Sequence, residues 1–285
     1  MNAEESAFEL GVVLPNSGEQ ATPRALAQIA EAAEALAFDH VWVSETMLVP
    51  REFGRDDTRT LDPLASLAYL AGRLERVKLG TSIVRVALHH PVQLAKQAAS
   101  LQELSGGRLL LGVGVGWYEP EFRLLGQNFE DRGRRMDEAL RLLRAIWTGE
   151  RDFRGEYWSF ENANFAPRPE PIPEVWVGGL SRRSIARARE LGDVWHPNSG
   201  DLENVRAAKQ LWPQGRVVPR AGLSYEPGDS PTLAGPPNEI ARRIEALRDA
   251  GADGLVITFG TEPEGTVAAM KRFRREVAPR AGLLP

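Results

Sequence analysis

Residues 77–117 of the chain read VKLGTSIVRVALHHPVQLAKQAASLQELSGGRLLLGVGVGW. The stretch opens and closes on apolar runs rich in valine and leucine, at residues 77–84 and 109–115. Between these runs, apolar side chains recur at the spacing of one helix face, at Leu94, Ala98 and Leu101. Runs that are apolar almost without interruption are typical of strands buried on both faces, as in a parallel sheet covered by helices. The stretch therefore predicts two parallel strands joined by a helix.

The same unit recurs along the whole chain. Eight short apolar runs, each followed by a helical pattern, occupy residues 8–14, 40–44, 77–84, 109–115, 175–178, 193–196, 217–223 and 254–259. Two helix starts carry matching signals, because Thr22-Pro23 and Asp62-Pro63 each place a capping side chain before a proline. We therefore predict an α/β fold, a (β/α)8 TIM barrel, that forms a single domain over residues 1–285.

An open, doubly wound sheet would show a similar alternation of strands and helices. Such sheets usually stop near six strands and carry a glycine-rich fingerprint after the first strand. Here the first run ends in Leu14-Pro15-Asn16, without glycine, which favours the closed barrel. The even spacing is broken only between Val115 and Val175. We expect an insertion there, between strands 4 and 5, with one extra helix and a polar, aromatic segment at 150–173 that covers the carboxyl ends of the strands.

The composition limits the classes of function. The formal net charge of −4 provides no global positive field for nucleic acid or an anionic membrane. Cysteine is absent, which excludes disulfides, thiolate metal sites and a cysteine nucleophile, so redox chemistry would require a bound cofactor. No run approaches the roughly 18 apolar residues of a membrane span. The first six residues lack the pattern of a signal peptide, and we therefore expect a cytoplasmic protein.

The clearest candidate site follows the fifth apolar run, because barrels of this kind carry their active sites at the carboxyl ends of the strands. Two glycines and a residue suited to cap a helix stand there, in the order Gly178, Gly179, Leu180, Ser181. Glycines allow the backbone to approach a ligand closely, and the free N–H groups at a helix start favour a phosphate. A plain strand-to-helix turn would use the same residues, so the spacing alone leaves both interpretations open.

A second glycine-rich stretch, at 112–117, ends the fourth run. It is not a dinucleotide loop, because Trp117-Tyr118-Glu119-Pro120 follows in place of a capped helix with a third glycine. Glycines at this strand end could let a flat ring or a ribityl chain lie on the backbone of Gly114, Val115 and Gly116. Glycines that merely ease closure of the barrel would give the same pattern.

Several polar side chains near the predicted strand ends could handle protons. His89 could act as a general acid, since imidazole titrates near neutral pH, although adjacent histidines before a helix are often only a loop. Glu45 could point into the pocket or form a surface salt bridge, and His196 could line the mouth or simply end a strand. We expect no metal site, because no carboxylate or third histidine is spaced to join His89 and His90.

The central motifs of the chain resemble the signature of the luciferase-like monooxygenase superfamily. They are LGTSIV at 79–84, HPVQLAKQ at 90–97, and LSGGR at 104–108 continuing to GVGVGW at 112–117. Four further stretches are similar to the flanking elements of that superfamily: FDHVWVSE at 38–45, WVGG at 176–179, GDVW at 192–195 and GADG at 251–254. The resemblance therefore covers nearly the whole chain. It is closest to the branch that uses the deazaflavin coenzyme F-420.

The resemblance implies a TIM barrel with a coenzyme at its mouth. A cis peptide bond, here Ser82-Ile83, would lie against the back of the coenzyme ring. The backbone that would meet the ring or the ribityl chain is that of Gly114, Val115 and Gly116. The phosphate would lie near Gly178, Gly179, Leu180 and Ser181. The resemblance also implies a homodimer.

Two positions depart from the sugar-phosphate dehydrogenases of the superfamily. In those enzymes an acid and a histidine follow the second strand, whereas here Glu45 matches the acid and Thr46 replaces the histidine. Trp117 stands where they carry a glutamate. The proton-handling pair of that subgroup is therefore absent, and its substrate does not transfer to this chain. The candidates for proton handling are Glu45, Thr46, His89 and His196.

The function implied by the resemblance is hydride transfer between coenzyme F-420 and a small organic substrate. A monooxygenase that binds reduced FMN is the alternative, because both rings would use the same barrel mouth. A non-catalytic barrel that holds a flavin or a deazaflavin is a third hypothesis, prompted by the missing histidine and glutamate. The sequence identifies neither the substrate nor the direction of hydride transfer.

Overall fold

A computed structural model describes residues 8–49, 59–226 and 233–283 of the chain. Each of the eight predicted apolar runs overlaps at least one strand. The strands are β1 (Glu9–Val13), β2 (His40–Val43), β3 (Lys78–Thr81), β4 (Val84–Arg85), β5 (Leu109–Gly114), β6 (Phe153–Arg154), β7 (Ser159–Phe160), β8 (Glu174–Gly178), β9 (Val194–His196), β10 (Arg216–Val217), β11 (Arg220–Ser224), β12 (Leu233–Ala234) and β13 (Gly254–Thr258).

Helices lie between these strands at the expected places. They are α1 (Pro23–Ala35), α2 (Pro63–Ala71), α3 (Pro91–Leu104), α4 (Glu119–Leu124), α5 (Arg132–Thr148), α6 (Arg182–Leu191), α7 (Leu202–Leu211), α8 (Pro237–Asp249) and α9 (Pro263–Arg272). The two predicted caps are confirmed, since the side chains of Thr22 and Asp62 accept hydrogen bonds from the third N–H that follows each of them. Within the described ranges, no helix is both long and apolar enough to cross a membrane.

The main sheet is parallel throughout. Its strand order is β10-β9-β8-β5-β3-β2-β1-β13-β11-β12, with β4 paired to β5. Residues 216–224 link β9, near one end of this order, to β13, near the other end. The Val218 N–H donates to the Trp195 carbonyl on β9 over 3.0 Å, and the Val256 N–H on β13 donates to the Pro219 carbonyl over 2.9 Å. The fold is therefore an α/β fold with a TIM-barrel-like sheet, as the sequence predicted.

Side chains fill the inside of the sheet. Trp42 and Trp176, both fully buried, meet there with ring centroids 4.8 Å apart. They belong to an inner apolar cluster with Val13, Leu110, Val194, Val218 and Val256. A larger cluster lies between the sheet and the surrounding helices. The interior is thus packed, and a ligand can be received only at an end of the barrel-like sheet.

The segment at 150–173 is attached to the outer helices, and the expectation that it covers the carboxyl ends of the strands stays a prediction. Its β6–β7 hairpin is held on the outside by the Glu138 carboxylate of α5, which accepts the backbone N–H groups of residues 156–158. Further along, the Gln102 side chain at the end of α3 donates to the Pro171 carbonyl over 2.8 Å. A buried carboxylate with three N–H partners fixes the segment against the outer helices.

Candidate active site

The predicted site residues come together at one edge of the sheet. Glu45, Ser82 and His196 lie at the carboxyl ends of β2, β3 and β9, and Gly114 and Gly178 end β5 and β8. These strands are neighbours, because β2 pairs with β3, β3 with β5, β5 with β8, and β8 with β9. Five separate stretches of sequence therefore contribute to a single candidate active site.

The peptide bond between Ser82 and Ile83 is cis, as the resemblance implied. The Ile83 side chain, which is only partly buried, lies across the ends of β5 and β8. A Cβ atom on Gly114 would stand 2.6 Å from Ile83 Cδ1, and one on Gly178 would stand 2.9 Å from Ile83 Cγ2. Packing against Ile83 is thus sufficient to explain glycine at both positions.

The glycine at 116 has a similar explanation. A Cβ atom there would lie 2.8 Å from the Phe122 ring on α4, and the backbone adopts a φ of +81°. Val115 and Gly116 are both partly exposed. The sequence left open whether these glycines admit a flat ring or serve packing, and the structure shows that contacts with Ile83 and Phe122 require glycine at 114 and 116.

His196 is buried, and both of its ring nitrogens have partners. Nδ1 lies 2.6 Å from the Val218 carbonyl, which can only accept, so Nδ1 carries the proton. Nε2 lies 3.0 Å from the Ser82 hydroxyl and accepts a hydrogen bond from it in the neutral ring. The ring also stacks on Trp42, with centroids 4.8 Å apart. Desolvation by burial lowers the pKa of His196 to about 4, so the ring is neutral at pH 7 and serves to orient Ser82.

Glu45 is the centre of a buried polar cluster. Its Oε2 accepts the backbone N–H of Arg85 over 2.7 Å, and its Oε1 lies 2.7 Å from Nε2 of His89. A carboxylate accepts, so Nε2 of His89 is the donor and its Nδ1 is left for another partner. Within the described ranges, no protein atom bonds to that Nδ1. Glu45, which we expected to point into the pocket, is therefore paired with the imidazole of His89.

Arg85 and Glu121 complete the cluster. The Arg85 guanidinium donates to the Glu45 carbonyl and to Oε2 of Glu121, and the side chains of all three residues are less than a tenth exposed. Oε1 of Glu121 accepts the N–H groups of Met47 and Leu48, over 2.9 and 3.3 Å. Sequence reasoning missed Glu121, because a glutamate on a six-residue helix carries no signal that points to a partner 36 residues away.

Two other polar residues after the strands have local structural roles. The Thr46 hydroxyl donates to the Glu45 carbonyl over 2.9 Å, so its proton is already engaged. Asn16, which is buried, donates to the carbonyls of Ser44 and Leu61 and accepts the Ser44 N–H. Asn16 thus braces the loop that carries Glu45.

The stretch from Gly178 to Ser181 forms the start of α6. Gly179 has a φ of +121°, which favours glycine, and Ser181 caps the helix by accepting the Ser184 N–H over 3.2 Å. Gly179, Leu180 and Ser181 are exposed, as are the arginines that follow, Arg182 and Arg183. Arg183 pairs with Asp137 over 3.1 Å. The N-terminus of this ten-residue helix is open beside the ends of β5 and β8.

A separate cleft of about 840 Å³ lies between α7 and α8. It is lined by Asp201, Arg206, Glu239 and Arg242 among others, and none of the predicted site residues borders it. We place the chemistry around Glu45, Ser82 and Gly114 instead, because the buried ion pairs of Glu45 and Glu121 with Arg85 and the imidazoles of His89 and His196 lie there. Among the residues that the structure describes, no group of three or more histidine, aspartate or glutamate side chains could hold a metal ion.

Two curated proteins illustrate the similarity of this chain to known sequences. The F420-dependent glucose-6-phosphate dehydrogenase of Amycolatopsis mediterranei (strain U-32) is 35% identical over 190 residues, which are 65% of this chain and 56% of that protein. The FMNH(2)-dependent dimethylsulfone monooxygenase of Pseudomonas fluorescens (strain Pf0-1) is 33% identical over 121 residues, 41% of this chain and 33% of that protein. The matches thus span from a third to just over half of the length of these relatives.

A solved structure shows the same fold. The monooxygenase RslO1 from Streptomyces bottropensis superposes with a TM-score of 0.80 at 22% identity, over 95% of this chain and 99% of that one. The family described as luciferase-like monooxygenase matches residues 8–218, which is well over half of the chain. This chain therefore belongs to the luciferase-like monooxygenase family.

Proposed function

We propose that this protein is an oxidoreductase that transfers a hydride between coenzyme F-420 and a small organic substrate at the carboxyl ends of its strands. The observation that carries the proposal is the convergence of Ser82-Ile83, Gly114 and the exposed start of α6 on one open edge. The 35% identity to an F420-dependent relative over 65% of this chain supports this choice of cofactor.

The residues at this edge fit a phosphorylated flat cofactor. Ser82 and Ile83 are partly exposed beside the glycine ends of two strands, so a ring could rest on them. The start of α6 presents backbone N–H groups, the positive end of a helix dipole and Arg182, all of which favour a phosphate. Gly178, Gly179, Leu180 and Ser181 would hold the phosphate, and Ile83 with Gly114, Val115 and Gly116 would support the ring. When bound, the deazaflavin supplies or accepts the hydride.

His89 is the best placed group to move a proton at this site. Its Nε2–H group donates to the Glu45 carboxylate, and this hydrogen bond fixes the orientation of the ring. The other nitrogen, Nδ1, is then left to exchange a proton with the substrate. Arg85 holds Glu45 by its backbone N–H and its guanidinium. Thr46 and His196 are weaker candidates, because their polar atoms are engaged within the protein.

Titration of the cofactor-free protein with coenzyme F-420 and with FMN tests the proposal. We expect the deazaflavin to bind more tightly, and the complex with its reduced form to lose its absorbance when a substrate from a panel of enones, imines and alcohols is added. Tight FMN binding without affinity for the deazaflavin would overturn the choice of cofactor in favour of a reduced-FMN monooxygenase. Binding without turnover across the panel would favour a cofactor-holding barrel.

A further inference from the structure

Arg220 is a partly buried arginine that has no acid partner among the residues that the structure describes. Its guanidinium makes one hydrogen bond there, a long one from Nε to the Thr258 hydroxyl at 3.4 Å. Two arginines that the fold buries, Arg85 and Arg187, each pair with a carboxylate. The partly buried Arg108 donates to three backbone carbonyls. A positive charge that leaves water without a partner is costly, so Arg220 is a candidate to bind a ligand.

The side chain of Arg220 faces the inside of the barrel-like sheet. Successive side chains of a strand point to opposite faces, and Ala221 and Leu223 of β11 both belong to the larger cluster, between the sheet and the helices. Thr258, which accepts the Nε hydrogen bond, ends β13 two residues after Val256 of the inner cluster. Arg220 and Thr258 are both partly exposed, so a ligand at the carboxyl ends of the strands can reach them.

Arg220 is also a neighbour of His196. Its backbone N–H donates to the carbonyl of Pro197, the residue after His196, over 2.7 Å. Desolvation by burial is the main cause that lowers the pKa of His196, and the positive charge of Arg220 lowers it further. Since His196 accepts the Ser82 hydroxyl, Arg220 borders the place where we expect the coenzyme ring to rest.

The free edge of the guanidinium suits an oxyanion. Nε is directed at Thr258, whereas Nη1 and Nη2 have no hydrogen-bond partner within the described ranges. These two nitrogens form a planar fork that matches the two oxygens of a carboxylate. Burial lowers the pKa of Arg220 from its ordinary value of 12.5, but a guanidinium stays protonated at neutral pH. A neutral substrate would leave this charge unpaired, whereas an anionic one would neutralise it.

We propose that the substrate carries a carboxylate or a similar oxyanion, which Arg220 binds through its two Nη nitrogens. The inference rests on the proposed function, since it assigns a substrate class to the same site. Binding of the anion at this point would orient the rest of the substrate toward the coenzyme ring. The rival occupant of Arg220 is an anionic group of the coenzyme itself. The rival sites for a free anion are Arg182 at the start of α6 and Arg242 in the α7–α8 cleft.

The test uses the full chain without cofactor and two anionic probes, benzoate and benzenesulfonate, with benzamide as a neutral control of similar shape. Isothermal titration gives the dissociation constants for the wild type and for Arg220→Gln, Arg220→Lys, Arg182→Gln and Arg242→Gln. The lysine variant keeps the charge but loses the planar fork. Hydrogen exchange of the wild type with and without benzoate locates the site independently of any variant.

We expect the wild type to bind benzoate and benzenesulfonate, and to bind benzamide about tenfold more weakly. Arg220→Gln should weaken benzoate binding to the level of benzamide, and Arg220→Lys should retain part of it. Arg182→Gln and Arg242→Gln should leave it unchanged. Benzoate should slow exchange in peptides covering 220–224 and 254–258.

Three results would overturn the inference. The first is that neither anion binds better than benzamide. The second is that anion binding persists in Arg220→Gln, or that benzoate protects only peptides away from 220–224 and 254–258. The third is displacement of benzoate by a saturating concentration of coenzyme F-420, which would assign Arg220 to the coenzyme. Benzoate binding that depends on Arg220, combined with failure of both cofactors to bind, would count against the proposed function alone.

Discussion

The Ser82 hydroxyl donates to Nε2 of His196 over 3.0 Å, inside the end of the barrel-like sheet. This contact ties β3 to β9, two strands separated in the sheet by β5 and β8. Because the opposite ring nitrogen donates to the Val218 carbonyl, Nε2 of the neutral ring can only accept, and the Ser82 hydroxyl is the donor. The direction of this hydrogen bond, and with it the orientation of the Ser82 hydroxyl, therefore depends on the protonation state of a buried imidazole.

Stability should fall in acid because two imidazoles are buried in their neutral form. Burial lowers the pKa of His196 to about 4 and that of His40 well below its ordinary value of 6.5. Between pH 6.5 and 4 the unfolded chain therefore binds more protons than the folded one, and the free energy of unfolding decreases as the pH falls. We expect His196 alone to contribute a loss of about 2 kcal/mol between pH 7 and pH 5, measured by urea unfolding.

Two variants separate this effect from general acid instability. His196→Gln should reduce the difference in unfolding free energy between the two pH values. His90→Gln, at an exposed position, should leave the difference unchanged. An equal pH dependence in all three proteins would show that His196 does not carry the effect.

The buried cluster around Arg85 should contribute strongly to stability. Glu121→Gln removes a carboxylate that pairs with Arg85, and breaking a buried ion pair costs about 3–5 kcal/mol. The matched control is Glu119→Gln on the same helix, whose exposed pair with Arg123 should be worth less than about 1 kcal/mol. Urea unfolding of the two variants measures both values, and similar losses would contradict the assignment.

The contact between Ile83 and Gly114 should appear as coupling between two substitutions. Gly114→Ala places a Cβ atom against Ile83 Cδ1 and should cost about 1–3 kcal/mol of stability. Ile83→Val removes that Cδ1 atom, so the double variant should recover a large part of the loss. Gly72→Ala serves as a control, because nothing lies within 4 Å of its added Cβ. Additive losses in the double variant would exclude the contact as their cause.

His89 should carry the proton of the reaction. With any substrate found in the panel, His89→Gln should lower kcat by about 10²-fold or more, whereas His90→Gln should not change it. If His89→Gln retains full kcat, the proton moves through another group.

Much of the fold could be predicted from the sequence. Each apolar run was long enough to mark a buried strand, and the caps at Thr22 and Asp62 depend only on neighbouring residues. The cis bond at Ser82-Ile83 and the convergence on one edge followed from the resemblance and from the parallel strand order.

The long-range contacts could not be predicted. The Arg85–Glu121 bridge and the attachment of the β6–β7 hairpin to Glu138 join residues far apart in the chain. Such contacts exist only after the helices have packed, and no local pattern encodes them. The same is true of Ile83 and Gly114, where the sequence showed a glycine but not the side chain that requires it.

Hydrogen exchange with and without coenzyme F-420 tests the central claim most directly, since it shows where the cofactor binds. We predict that the cofactor slows exchange of the amides in peptides covering 82–85, 114–117 and 178–184, with no change in peptides of the α7–α8 cleft, at 201–206 and 239–247. Protection of the cleft peptides, or no protection at the strand ends at a saturating cofactor concentration, would contradict the account.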